Sequence, residues 1–423
     1  MNVAQATLDN GLRIVTATLP HVDSVAVGVW LNTGSRHEPA RLAGVSHFIE
    51  HLLFKGTRRR SAHAISTDIE GCGGYLDAFT QEEDTCYYAR VARKHADLAL
   101  DVLCDMYLHP RLAPEDIAKE RSVILDEIQM YRDHPQHVVQ EMLSASLWSA
   151  HPLGRPVPGN EASLNRMTRA DIVDFKRRRY IPCNTVIAAA GNITLRECVG
   201  MVRRRMGRIP PAAPSARRPG GAAARQQALA FQARNVEQAH IARGFRHFGR
   251  HDARRHALRL MNVVLGENMS SRLFQVLRET HGLAYAVQSN FTLFEETGAW
   301  IVSAGVEAGR IARSAKLIGR ELKRLRDQPV PARELRQARD YVIGQMKLGL
   351  ESTSQQMMWI GEQLLTFGRF ISPEETVAHL TRVDAATMQR VARAVLRENR
   401  LSLSVVAPGI TERGLQQVRQ KLV

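Results

Sequence analysis

Near its midpoint this 423-residue chain carries a stretch that neither a helix nor a strand can occupy. Arg208-Ile209-Pro210-Pro211-Ala212-Ala213-Pro214-Ser215 has no hydrophobic period, and Pro219-Gly220-Gly221-Ala222 follows shortly after. Proline lacks a backbone donor and glycine loses the most entropy on ordering, so such a stretch reads as a linker. The chain therefore divides into an N-terminal domain over residues 1–209, a linker over 210–225 and a C-terminal domain over 226–423. Each half has the size of an ordinary domain. Composition supports a core in each, since 44% of residues are hydrophobic and 24% charged.

The two halves show a comparable order of elements. In the first, Leu12-Arg13-Ile14-Val15 and the alternation of Val25, Val27, Val29 and Leu31 read as strands. A helix is expected from Leu42 to Lys55, stopped by Gly56, with further helices at Lys94 to Tyr107 and from Pro114 to about Tyr131. Thr85 to Val91 and Asn184 to Ala190 are rich in strand formers. In the second half a strand near Ala239 to Phe245 precedes helices near Ala257 to Leu265 and Ser270 to Thr280. Strands at Ala284 to Ser289 and Ala299 to Val306 follow, then long helices and a last strand, Leu401 to Val406. The expected fold is α+β: two similar halves, duplicated mixed-sheet domains with helices on one side.

The chemistry concentrates in His47-Phe48-Ile49-Glu50-His51. Two histidines four apart point from the same face of a helix, because each residue turns by about 100°. Two imidazole nitrogens can then bind one zinc ion, with the carboxylate of Glu50 beside them. This His-x-x-Glu-His order is the inverted form of a zinc-peptidase signature. A catalytic zinc takes three protein ligands and one open position, so one ligand is missing. The best source is the helix from Pro114 to Glu127, where Glu120 and Glu127 stand seven apart on a shared face, near Val123, Ile124 and Ile128. Most single helical glutamates are solvated surface charges, so spacing alone does not choose between these two. The second half has no counterpart of the histidine pair; if the domain was doubled, one copy kept a metal.

The chain resembles the inverted-zincin peptidases of the pitrilysin and mitochondrial-processing-peptidase group. In that family a glutamate about 76 residues beyond the second histidine is the third zinc ligand, and another glutamate lies seven residues before it. Glu127 and Glu120 stand at those positions. Gly73-Gly74-Tyr75-Leu76-Asp77-Ala78-Phe79-Thr80, with Glu83, Thr85, Tyr87 and Tyr88, is similar to the family's glycine-rich turn and edge strand. His151-Pro152-Leu153-Gly154 and Gly159 resemble a later loop, and Ser270 to Phe274 with Arg278 and Gly282 to Tyr285 resembles its substrate-clamping segment. The resemblance covers the chain from about Leu8 to the last strand.

It implies a clamshell of two halves around a cavity and a metalloendopeptidase carrying one zinc per chain on His47, His51 and Glu127. Glu50 is then the base for water, and Glu120 orients the ligands by hydrogen bonds. Arg278, Tyr285, Gly74, Asp77 and Ala78 contact substrate, which is a peptide or unfolded segment adding to the edge strand. A homodimer is implied, a heterodimer with a related chain being the alternative. Asp77 departs from the family's usual asparagine, and Leu265 to Met269 has fewer glycines than many relatives show.

Bulk properties bound the rest. No apolar run approaches a membrane span and no secretory signal is visible, so a soluble, cytoplasmic protein is expected. Five cysteines, all in the first half and without a CxxC pair, fit a reduced setting. The formal charge of +16 comes from short, scattered basic runs with aromatics at 6%, so it is read as solvated surface and nucleic acid is not expected as a partner. His63, His95, His134, His137 and His247 lack partners at ligand spacing and read as surface or packing residues. Two rival functions stand beside the enzyme: a non-catalytic subunit or scaffold like the family's inactive partners, and a basic nucleic-acid binder supported by charge alone.

Overall fold

The computed structural model describes residues 1–213 and 229–409. Most of the expected linker, residues 214–225, lies outside the described residues. The first sheet has six strands: β1 (Asn2–Thr7), β2 (Arg13–Thr18), β3 (Ser24–Leu31), β4 (Tyr75–Thr80), β5 (Thr85–Ala92) and β6 (Thr185–Gly191). The second has five: β7 (Leu229–Ala233), β8 (Gln238–Phe248), β9 (Ala284–Leu293), β10 (Thr297–Glu307) and β11 (Leu401–Ala407). The spatial orders are β1-β2-β6-β3-β5-β4 and β7-β11-β8-β10-β9.

Those orders encode a duplication. β2 runs parallel to β6, and β6-β3, β3-β5 and β5-β4 are antiparallel. β7 likewise runs parallel to β11, and β11-β8, β8-β10 and β10-β9 are antiparallel. Apart from the added β1, each strand of one sheet has an equivalent in the other, with the same neighbours and the same sense. The mixed α+β halves read from the sequence are thus two copies of one plan.

Five helices of the first half matter here: α1 (Val45–Leu53), α2 (Ala62–Glu70), α3 (Ala96–Leu108), α4 (Pro114–Asp133) and α5 (Pro135–Leu147). α1 starts at Gly44, whose φ of 93° is left-handed backbone that favours glycine. Val45, Phe48, Ile49, Leu52 and Leu53 are its buried face, at the i, i+3, i+4, i+7, i+8 spacing of an amphipathic helix. They pack with Val25, Val27, Val29 and Leu31 of β3 and with α3 in one core. Fully burying each such side chain stabilises the fold by about 1.5–3 kcal/mol.

The compact units do not follow the midpoint. One comprises residues 1–128, 155–213 and 347–372; the other comprises 129–154, 229–346 and 373–409. The first sheet carries the helices of its own half on one face. Its other face, formed by Val15, Ala26, Trp30, Cys86, Val186, Ala188 and Ala190, is covered by Met357, Ile360 and Leu364 of the helix Thr353–Phe367. The second sheet mirrors this. Ala242, Ala299 and Val406 pack against Val138, Val139, Leu143 and Leu147 of α5. Each sheet thus borrows one covering helix from the other half of the sequence. Gly361 shows how closely the borrowed helix docks, since a Cβ there would lie 2.2 Å from Trp30 Nε1. No described helix is long and apolar enough to cross a membrane.

Candidate active site

Because the buried face of α1 takes positions 45, 48, 49, 52 and 53, positions 47, 50 and 51 fall on its opposite side. α4 presents Glu127 to the same place. Ligand atoms of His47, His51 and Glu127 all lie within 4.8 Å of one another, the one such group of three among the described residues. Nε2 of His47 is 3.8 Å and Nε2 of His51 3.7 Å from Glu127 Oε2. These distances are too long for hydrogen bonds. Ligands about 2.0–2.1 Å from a tetrahedral zinc stand roughly 3.4 Å apart, so two imidazoles and one carboxylate at this spacing fit that ion.

The surrounding groups prepare the donors. Nδ1 of His51 lies 3.2 Å from Oε2 of Glu120. An ionised carboxylate only accepts, so the ring donates from Nδ1 and keeps its Nε2 lone pair for a metal. Glu120 is 1% exposed, and its second oxygen pairs with Lys55 Nζ at 2.8 Å. A buried charge left without such a partner is costly, and Lys55 supplies it. Burial, with the neighbouring His51, brings the His47 imidazole down to about 4, so the ring is held neutral, the form that ligates.

Glu50 sits one position before His51 and is half-buried. Burial pushes its carboxyl above the ordinary range, the Thr80 hydroxyl and His51 pull it back, and the charges of Glu127 and Asp77 push it up. The Thr80 hydroxyl donates to Oε2 of Glu50. Thr80 ends β4, the edge strand of the first sheet, so the strand beside the metal residues also touches the prospective base. On the same strand Asp77 Oδ2 accepts from the hydroxyls of Tyr75 at 2.7 Å and Tyr88 at 3.2 Å, while Oδ1 accepts from the backbone N–H of Ala78.

Known proteins resemble this chain over most of its length. Residues 13–161 match the family described as insulinase (peptidase family M16), and residues 166–342 match the peptidase M16 inactive domain. An uncharacterized zinc protease of Mycobacterium leprae is 38% identical over 421 residues, covering 98% of this chain and 93% of that protein. The chain belongs to the M16 peptidase family. Another uncharacterized zinc protease, from Streptomyces coelicolor, is 40% identical over 412 residues, with 96% and 90% covered. The fold is that of a Pseudomonas fluorescens structure titled peptidase M16 inactive domain, with a TM-score of 0.91 at 17% identity over 97% of this chain and 99% of that one. A protease from Helicobacter pylori gives a TM-score of 0.89 at 19% identity, covering 96% and 99%.

Within this M16 chain the first unit gathers His47, Glu50, His51, Glu120 and Glu127, with Gly74, Asp77 and Ala78 at or beside β4. Arg278 and Tyr285 belong to the second unit, where they meet each other. The Arg278 guanidinium lies 4.9 Å from the Phe274 ring centroid and 5.0 Å from that of Tyr285, and Nη1 donates to the Tyr285 carbonyl at 3.3 Å. Tyr285 is 75% exposed and opens β9, the edge strand equivalent to β4. The helix Arg255–Asn262 follows β8 as α1 follows β3, but four residues beyond His256 it carries Leu260. It offers no histidine pair.

Some details escaped the sequence. Val123, expected among the apolar contacts of α4, is 42% exposed, whereas Ile117, Glu120, Ile124 and Ile128 form the buried stripe. The stripe runs i, i+3, i+7, i+11, and position 123 faces away from it. Lys55 gave one usable signal, lying four residues beyond His51. Glu38 gave none. It is buried, and its two oxygens accept from the N–H groups of Gly44 and Ser46, both at 2.7 Å, capping the start of α1.

Proposed function

We propose that this chain is a zinc metalloendopeptidase that hydrolyses peptide bonds in peptides and unfolded segments, with one zinc on His47, His51 and Glu127 and with Glu50 as general base. The observation that carries the reading is the convergence of those three ligands beside a carboxylate that is not one of them. Zinc held there would supply Lewis acidity, bringing the pKa of a bound water down to about 7 and polarising the scissile carbonyl.

The chain's own residues do the rest. Glu120 accepts from His51 Nδ1–H and fixes which ring nitrogen faces the ion. Glu50 accepts the proton of the attacking water as the C–O bond forms and then returns it to the leaving amine as the C–N bond breaks. An extended peptide pairs with the free edge of β4 through Gly74, Asp77 and Ala78, a mode that reads backbone rather than sequence. Arg278 and Tyr285 offer a guanidinium and a phenol as donors to substrate carbonyls. We extend the reading to a homodimer in a reduced, cytoplasmic setting; all five cysteines are free thiols. The complete set of ligands and base weighs against a non-catalytic scaffold.

Zinc content and cleavage of a quenched, unstructured peptide, measured for the wild type and Glu50→Gln, test this. Both proteins should hold about one zinc, and only the wild type should cleave, because Glu50 is base and not ligand. A wild type that neither binds zinc nor cleaves would sink the proposal.

A further inference from the structure

Glu50 has one hydrogen-bond partner among the described residues, the Thr80 hydroxyl at 2.5 Å from Oε2. A carboxylate cannot donate, so the single proton of that hydroxyl points at Glu50. Thr80 pairs across the β4-β5 ladder with Thr85. The Thr85 hydroxyl is itself anchored, donating to the Thr33 carbonyl at 2.8 Å, with Thr80 Oγ1 a longer 3.4 Å away. Nothing on that side competes for the Thr80 proton. The glutamate side chain has three rotatable bonds, and ordering it costs conformational entropy. Tying Oε2 to a sheet removes that freedom before substrate arrives and leaves Oε1 to receive a proton.

We propose that Thr80 is a positioning residue for Glu50: its hydroxyl holds the base in line from the strand along which the substrate lies. The inference rests on the peptidase reading above. It gives β4 a second task, because the strand that takes up a peptide backbone also sets the carboxylate that acts on it. Thr80 acts through the orientation of Glu50, so its loss should appear in turnover and not in binding.

The test compares wild type, Thr80→Val, Thr80→Ala and Thr80→Ser, each loaded with zinc, on a quenched unstructured peptide, with zinc content and thermal midpoint measured alongside. Valine matches threonine in shape, and alanine serves if valine disturbs folding. The expected result for either is about one zinc per chain, KM within about twofold of wild type, and kcat lower by roughly 10- to 100-fold, the loss of a hydrogen bond to a charged group. Thr80→Ser keeps the hydroxyl and should recover most of the rate. Wild-type kcat in the hydroxyl-free variants overturns the proposal, as does a loss confined to KM or one that persists undiminished in Thr80→Ser. A zinc-loaded wild type that cleaves nothing defeats the peptidase reading and takes this inference with it; an active wild type with equally active variants defeats this inference alone.

Discussion

Under the proposed function, single side chains one step away from the metal ligands set how well the site holds an ion. Glu120 illustrates the balance: it is nearly inaccessible, yet one oxygen faces His51 and the other Lys55. Remove the lysine and the carboxylate is a buried charge with a single neutral partner, the costly case for an ion pair. Its hold on the His51 ring then weakens, because the carboxylate loses the neighbour that fixes its orientation. Lys55→Met should therefore lower zinc affinity by roughly 10- to 100-fold, the range found when a group behind a metal ligand is changed. Competition against a chromogenic chelator reads this directly. An affinity equal to wild type would show that Lys55 merely decorates the surface. The Thr80–Glu50 contact is of the same kind, a group outside the ligand set governing one that does chemistry.

At the scale of elements, α1 carries three of the candidate site residues and is only nine residues long, so its first turn matters. Glu38 satisfies two of the N–H groups that a helix start leaves without partners. Burial nevertheless pushes its carboxyl up to about 7 from 4.5, against the pull of those donors and of Arg155. The sign follows: between pH 4.5 and about 7 the unfolded chain has lost a proton that the folded chain keeps. Stability therefore falls as pH rises through that window, by up to about 3 kcal/mol. Glu38→Gln has no such titration, so the stability of the wild type relative to this variant should decline as pH rises from about 4.5 to about 7 in paired denaturant titrations. A flat difference would refute it. The helix itself was legible in the sequence, since Val45, Phe48, Ile49 and Leu52 repeat with helical period, and so were β3, β5, β6 and α4. Its cap was not, because Glu38 lies in the loop before the helix and accepts from N–H groups six and eight residues ahead, a spacing with no periodic signature. The gathering of His47, His51 and Glu127 was expected from the resemblance, which put a glutamate 76 residues beyond His51, whereas Thr80 was visible only as one residue of a motif. Basic runs also misled less than their charge suggests: Arg59 and Arg60 pair with Asp101 and Asp105 at 2.6–3.2 Å.

For the whole molecule, the decisive fact is that the duplicated plan is not cut where the sequence looks cut. Residues around 210 form a breaker-rich stretch, and the two sheets do fall on either side of it. Yet the helix Thr353–Phe367 covers the first sheet and α5 covers the second. Hydrophobic period marks a helix as amphipathic without saying which sheet receives its face, so this exchange was invisible in sequence. It has a consequence for the metal residues. β3 is buried on both faces: Val25, Val27 and Val29 support α1, while Ala26 and Trp30 need Met357 and Ile360. A fragment of residues 1–213 would keep every ligand, the base and Thr80, but would present Val15, Ala26, Trp30, Val186, Ala188 and Ala190 to water. Exposed apolar surface of that kind favours association and costs about 25 cal/mol per Å² that the intact chain hides. The fragment alone should therefore be poorly soluble or loosely folded, with little zinc bound, whereas co-expression with residues 214–423 should restore a soluble complex holding about one zinc. Size-exclusion chromatography with metal analysis reads both outcomes. A monomeric, zinc-loaded 1–213 fragment, stable without its partner piece, would mean that the borrowed helix is dispensable and that the sequence midpoint is a true domain boundary.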